Sequence, residues 1–301
     1  MAACTLQDGE RPNVEVSGEV GEKYILAFDP SWAESESSDD FAMMVLKLND
    51  DKKIGTVVHS YALSGANLKQ HIFYFYYLLT HFNIVSIVGD YNGGVQFINA
   101  CNESGLFKKN NINIKCLTTN FDDLEHYQEK LVEGKKEYNL DDKTICYLRK
   151  PTSAWIRLAN ELLQANFDHR RIHFAARAID DAYNEQRSKK IPIKDLQFLR
   201  TSQSGERQTD AAKMIDFVEH QFDMMNLIKT QCALIQITTS ASGTQNFDLP
   251  SNLKRQTGPE KARKDSYSAL VLGNWMVKLY YDMMNIQVES VNYTFTPMFI
   301  K

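Results

Sequence analysis

Two kinds of hydrophobic patterning divide this chain: short, wholly apolar runs and longer stretches that are apolar on most helical faces. From Tyr24 to Phe28 every position is apolar or aromatic, which predicts a strand covered on both faces. Pro30 cannot donate a ladder hydrogen bond, so pairing is expected to stop near Asp29. Phe41 to Leu48 and Ile54 to Leu63 read as two further strands around the polar turn Asn49 to Lys53. Successive strands on short polar loops predict an antiparallel meander. Leu68 to Phe82 is apolar on nearly all sides, so its run of aromatics is expected to pack against a sheet rather than stack on bases. Ile84 to Gly89 is then a buried parallel strand reached by a helical crossover, ending in Asp90-Tyr91-Asn92-Gly93-Gly94.

Downstream, Val95 to Ser104 reads as a helix and Ile112 to Leu117 as a strand. The stretch from 118 to 210 is less regular. It holds an amphipathic helix from Trp155 to Phe167 and a short strand from Arg171 to Phe174. Asp210 to Lys229 is a longer helix, and Cys232 to Thr239 with Asn246 to Leu249 forms a strand and its return around Ser242-Gly243. A final helix is expected from Asp265 to Met284. Residues 1–22, with Gly9, Pro12, Gly18 and Gly21 among glutamates, read as a flexible lead or linker, leaving 23–301 as one domain. The fold class expected is α/β, a mixed sheet of antiparallel meander and parallel strands flanked by helices.

Composition changes this picture little. The 301 residues are 43% hydrophobic and 24% charged, ordinary for a globular chain, and the net charge of −4 still permits a local basic strip to bind phosphates. The five cysteines form no CxxC pair, which argues against a zinc site or a disulfide framework and suits a reducing compartment. The most apolar run, Ile72 to Phe82, is too short to span a bilayer, and the first 22 residues lack a signal-peptide core, so a soluble intracellular protein with no membrane partner is expected.

The candidate chemistry lies in three acids. Asp29 ends the first strand, Asp90 ends the first parallel strand, and Asp265 opens the last helix. A carboxylate at the end of a central strand needs a positive partner, either a salt bridge or a metal ion. Taken alone, Asp90 fits a turn and Asp265 a first-turn helix acid. Together, hard oxygen ligands without His or Cys suit Mg2+ or Mn2+. Two such ions ~3.5–4 Å apart can activate water and stabilise the leaving oxygen of a phosphodiester. Lys254, Arg255, Lys261, Arg263 and Lys264 put five cations just before Asp265, in a loop kept open by Gly258-Pro259, as expected of a phosphate contact. Arg187-Ser188-Lys189-Lys190 is an ordinary exposed basic face, and Trp32 is read as packing against the sheet edge.

FDPSW followed by SDDFAMMV, VGDYNGG and KARKDSYSALVLGNW resembles the nuclease domain of the viral terminase large subunit, found in tailed bacteriophages and herpes-type viruses. The likeness runs over residues 23–284. It implies a ribonuclease H-like fold and metal-dependent endonuclease cleavage of double-stranded DNA during viral genome packaging. On this resemblance Asp29, Asp90 and Asp265 are catalytic ligands of two Mg2+ or Mn2+ ions, Asp40 is an accessory ligand, and Ile235 to Pro250 is a β-hairpin before the last helix. The implied partners are duplex DNA, the terminase ATPase domain, the small terminase subunit and the portal. The implied location is the cytoplasm of an infected host cell, or its nucleus for a eukaryotic virus. The chain has no GxxxxGK[ST] phosphate loop, so a nuclease domain without its motor is implied. Where some relatives carry a His before the third acid, this chain has Lys261-Ala262-Arg263-Lys264. The rival readings are another ribonuclease H-like nuclease, such as a Holliday-junction resolvase, and a non-catalytic docking module.

Overall fold

A computed structural model describes residues 2–6, 10, 12–32, 39–65, 68–119, 145–176, 210–241, 243–257 and 261–291. Strands β1 (Tyr24–Asp29), β2 (Phe41–Asn49) and β3 (Ile54–Leu63) form the expected antiparallel meander. Helix α1 (Leu68–His81) then crosses over to β4 (Ile84–Asp90), which lies parallel to β1. Helices α2 (Tyr91–Glu103) and α3 (Gly105–Lys109) lead to β5 (Lys115–Thr119) and β6 (Ile145–Arg149). After α4 (Ser153–Asp168) comes β7 (Ile172–Phe174); α5 (Asp210–Leu234) precedes the hairpin of β8 (Gln236–Thr239) and β9 (Gln245–Asp248). Helices α6 (Ser251–Lys254) and α7 (Asp265–Val291) follow. The main sheet has the order β5-β6-β4-β1-β2-β3-β7, an antiparallel meander continued by parallel strands beyond β1. This is the expected α/β architecture, a mixed sheet flanked by helices.

The alternation of β1 explains its two-sided cover. Phe28 points to one face, where its ring meets Phe75 of α1 at 5.6 Å and Phe97 of α2 at 5.5 Å between centroids. Ala27 points to the other, where its methyl group faces Gly273 of α7. Side chains alternate with period two, so Asp29 is directed to the α7 face. Helix α7 is buried along most of its described length because it lies across the central strands, with Leu46 and Val277 filling the seam near Gly273 and Gly55.

Several expectations are corrected. Residues 12–22 are not a free lead: Asn13 to Ser17 are buried, and Asn13 bridges to Ala176 beyond β7. Burial of Glu15 is tolerated because Tyr24 Oη donates to its carboxylate at 2.7 Å and Lys47 pairs with it at 3.2 Å. Strand β6 was not anticipated, yet it separates β4 from β5. Cys232 to Leu234 continue helix α5 instead of opening a strand. The cluster Arg187 to Lys190, the turn residue Ser242 and the Gly258-Pro259 loop lie outside the described residues.

Candidate active site

Parallel pairing of β1 with β4 sets Phe28 beside Gly89, so the next residues, Asp29 and Asp90, end neighbouring strands at the same level. Behind them the fit is close. A Cβ at Gly89 would collide with the Phe28 ring, so only glycine lets the two acid-bearing strand ends approach this way. Asp90 is also the N-cap of α2, its carboxylate accepting the Asn92 N–H at 2.6 Å. Asp265 comes from the first turn of α7, and its Oδ2 accepts the backbone N–H of Asp40 at 2.8 Å. The N-terminus of α7 lies at this edge of the sheet, where its positive end favours anionic groups, whereas α2 is interrupted at Asn92 and Gly93.

All three acids line one cavity of about 730 Å3. Their electrostatics are linked. Burial drives the Asp29 carboxyl well above the usual range, and the charges of Asp265 and Asp90 push it further, against a hydrogen bond from Ser268 and the attraction of Lys264. Burial raises Asp90 to about 6, opposed by the Asn92 N–H. Burial also raises Asp265 to about 6, opposed by the Asp40 N–H. Carboxylates held together in this way resist ionising without cationic company. Among the described residues, no three His, Cys, Asp or Glu side chains stand close enough to hold one metal ion. What the acids share is a cavity, an all-oxygen donor chemistry that suits a hard cation, and mutual repulsion that a cation would relieve.

Asp40 is placed differently from the other three. Its carboxylate pairs with Arg263 Nε at 3.3 Å, and it reaches the site through its backbone N–H on Asp265. Its neighbour Asp39 lines the cavity instead. The basic strip is largely paired: Lys254 and Lys264 both bridge to Asp248, the latter at 3.0 Å, and Lys261 pairs with Asp39 at 2.9 Å. Lys261 and Lys264 also line the acid cavity, whereas Arg255 is exposed away from it. Exposed pairs of this kind are weak and exchangeable for a phosphate.

Sequence reasoning missed Arg149, the last residue of β6, which pairs in register with Asp90 and is almost wholly buried. Its guanidinium lies 5.2 Å from the centre of the Trp155 ring, which lines the cavity. The signal was present: Ile145-Cys146-Tyr147-Leu148 is a short apolar run ending in a charge, as in β1 and β4.

Fold and site together describe an α/β domain with a mixed sheet, in which three acids line one cavity at the carboxyl ends of the central strands. No family model matches the chain, and no curated protein matches it. Among solved structures it is similar to the large terminase nuclease from thermophilic phage G20c, at 12% identity over 90% of this chain and 93% of that one, with a TM-score of 0.44. The structure of that nuclease with bound magnesium aligns at 9% identity over 91% of this chain and 93% of that one, with a TM-score of 0.43. The cobalt-bound structure gives 9% identity, the same coverage and a TM-score of 0.42.

Proposed function

We propose that the chain is a metal-dependent endonuclease that cleaves double-stranded DNA, acting as the nuclease of a viral genome-packaging terminase. The observation that carries the reading is the meeting of Asp29, Asp90 and Asp265 at one cavity, with Asp29 under the field of both others. The motifs around these acids resemble those of terminase nucleases, which supplies the substrate and the packaging context. Asp29, Asp90 and Asp265 would hold two Mg2+ or Mn2+ ions. Bound ions would lower the proton affinity of an attacking water and offset charge at the phosphodiester. The chain's own part is positional. The Asp40 N–H and Ser268 hold Asp265 and Asp29 at the cavity wall, and Lys261 and Lys264 stand beside them to meet the phosphate. No protein nucleophile is required. The terminase ATPase, small subunit and portal are the partners this reading implies, and the infected cell its location.

Plasmid incubated with Mn2+ or Mg2+ tests this. Asp29→Asn and Asp265→Asn should each lower the cleavage rate by at least about 100-fold, the scale of losing an electrostatic stabiliser of the transition state. Equal cutting by wild type and both variants, or no cutting with either ion, overturns the catalytic assignment.

A further inference from the structure

The acid cavity is not lined by charge alone. Trp32, Trp155, Phe247 and Tyr267 give it an aromatic wall. A phosphate needs no such wall, and a continuous duplex presents phosphates and sugars at its surface while its base faces stay stacked inside. Trp32 is 44% exposed. Its position is nonetheless fixed. The edge of the indole rests on Gly93, whose φ of +85° suits glycine, and a Cβ there would collide with Trp32 Nε1 and lie 3.2 Å from Pro30 Cγ. The ring is therefore seated between the turn after Asp29 and the turn after Asp90, and still open to solvent.

Two more features extend the pattern. Tyr91, next to Asp90, is 37% exposed and carries Lys150 Nζ at 5.8 Å from its ring centre. Phe247 and Lys264 line both this cavity and a second one of about 310 Å3, which Lys254 also lines. Aromatic rings set beside cations are how proteins hold unpaired nucleic acid, with bases on the rings and phosphates on the cations.

Resting on the nuclease reading, we infer that Trp32 is a stacking platform for an unpaired nucleobase beside the scissile phosphodiester. The favoured substrate is then duplex DNA opened at the cut, by a gap or a frayed end, over continuous duplex.

The test uses the full chain with Asp29→Asn, which removes cleavage, and fluorescence anisotropy with two labelled DNAs: a duplex bearing a short central gap and the same duplex without it. Tighter binding of the gapped DNA is expected. Adding Trp32→Ala should cut that preference about tenfold, while Trp32→Phe should retain most of it, as a base stacked on one ring requires. Equal weakening on both DNAs, an unchanged preference in Trp32→Ala, or no preference before substitution overturns the inference. Should Trp32→Ala melt early, Trp32→Phe and the preference of the parent still decide. Cleavage by the unsubstituted chain with no gap preference sinks the stacking role alone, whereas binding to neither DNA sinks the nuclease reading with it.

Discussion

Phe28 and Gly89 sit directly behind the two strand-end acids, and their fit controls how closely those acids approach. Phe28 is fully buried among Phe41, Phe75 and Phe97, so its ring cannot swing away from a new methyl group at position 89. Gly89→Ala should therefore cost about 1–3 kcal/mol, the usual penalty of overpacking, read as a lower urea midpoint at unchanged slope. Because the two residues touch, adding Phe28→Leu should give a loss smaller than the sum of the single substitutions. An additive pair would mean that the glycine answers to something other than the ring. Cleavage should fall in Gly89→Ala by more than its stability loss explains, since the displaced strand ends carry Asp29 and Asp90.

At the scale of elements, the buried segment from Asn13 to Ser17 behaves as a clamp with its own titration. Burial raises the Glu15 carboxyl to about 7, against Lys47 and the Tyr24 hydroxyl, while burial lowers the adjoining His59 to about 4. A carboxyl raised in the fold adds stability that is whole below about pH 4.5 and is lost as pH rises through 7. The depressed His59 acts oppositely, its contribution present above about pH 6.5 and lost as pH falls through 4. Glu15→Gln removes only the first effect. Relative to wild type, the variant should gain up to about 3 kcal/mol between pH 5 and pH 8 in urea denaturation. A constant difference across that range would show that Glu15 is already ionised in the fold.

The same segment shows where sequence patterning stops being informative. Asn13-Val14-Glu15-Val16-Ser17 alternates as an edge segment would, but its glutamate and flanking glycines suggested solvent, and the partners Tyr24 and Lys47 lie on other elements. Strands β1 to β4 and helices α1 and α7 were legible because local apolar runs settle them. Asp29 and Asp90 were legible as candidates because each ends such a run, and Asp265 because it opens one. What could not be read was pairing between distant segments: β6 inserting beside β4, Arg149 arriving level with Asp90, and Arg263 engaging the Asp40 carboxylate while Asp39 takes the cavity wall. Trp32 does pack at the sheet edge, but its seat on Gly93, in a different turn, could not be read from the sequence.

For the whole molecule, the acids set a balance between fold stability and site assembly. With Asp90 and Asp265 each raised to about 6, and Asp29 also raised by burial and by their charges, the metal-free fold gains from their protonated forms and loses that gain as pH rises through 6. Glu15 adds a loss of the same sign, but it lies in the far clamp, where a divalent ion bound at the acids would not act. Magnesium or manganese should therefore stabilise the protein more at pH 8 than at pH 5, reaching about 2.7 kcal/mol at pH 8 when the ion is in hundredfold excess over its Kd there. Asp90→Ala separates the contributions, because Asp90 is both a raised acid and the cap of α2. In chelator at pH 4 the variant should be less stable by about 1 kcal/mol, the value of a lost N-cap. At pH 8 the relief of an ionised, half-buried carboxylate, about 3 kcal/mol, should outweigh the cap, so the variant melts no lower than wild type. Metal should then stabilise the variant less than it stabilises wild type. A variant that melts lower than wild type at both pH values, with no differential response to metal, would make Asp90 a structural cap and leave the acids without a common ion.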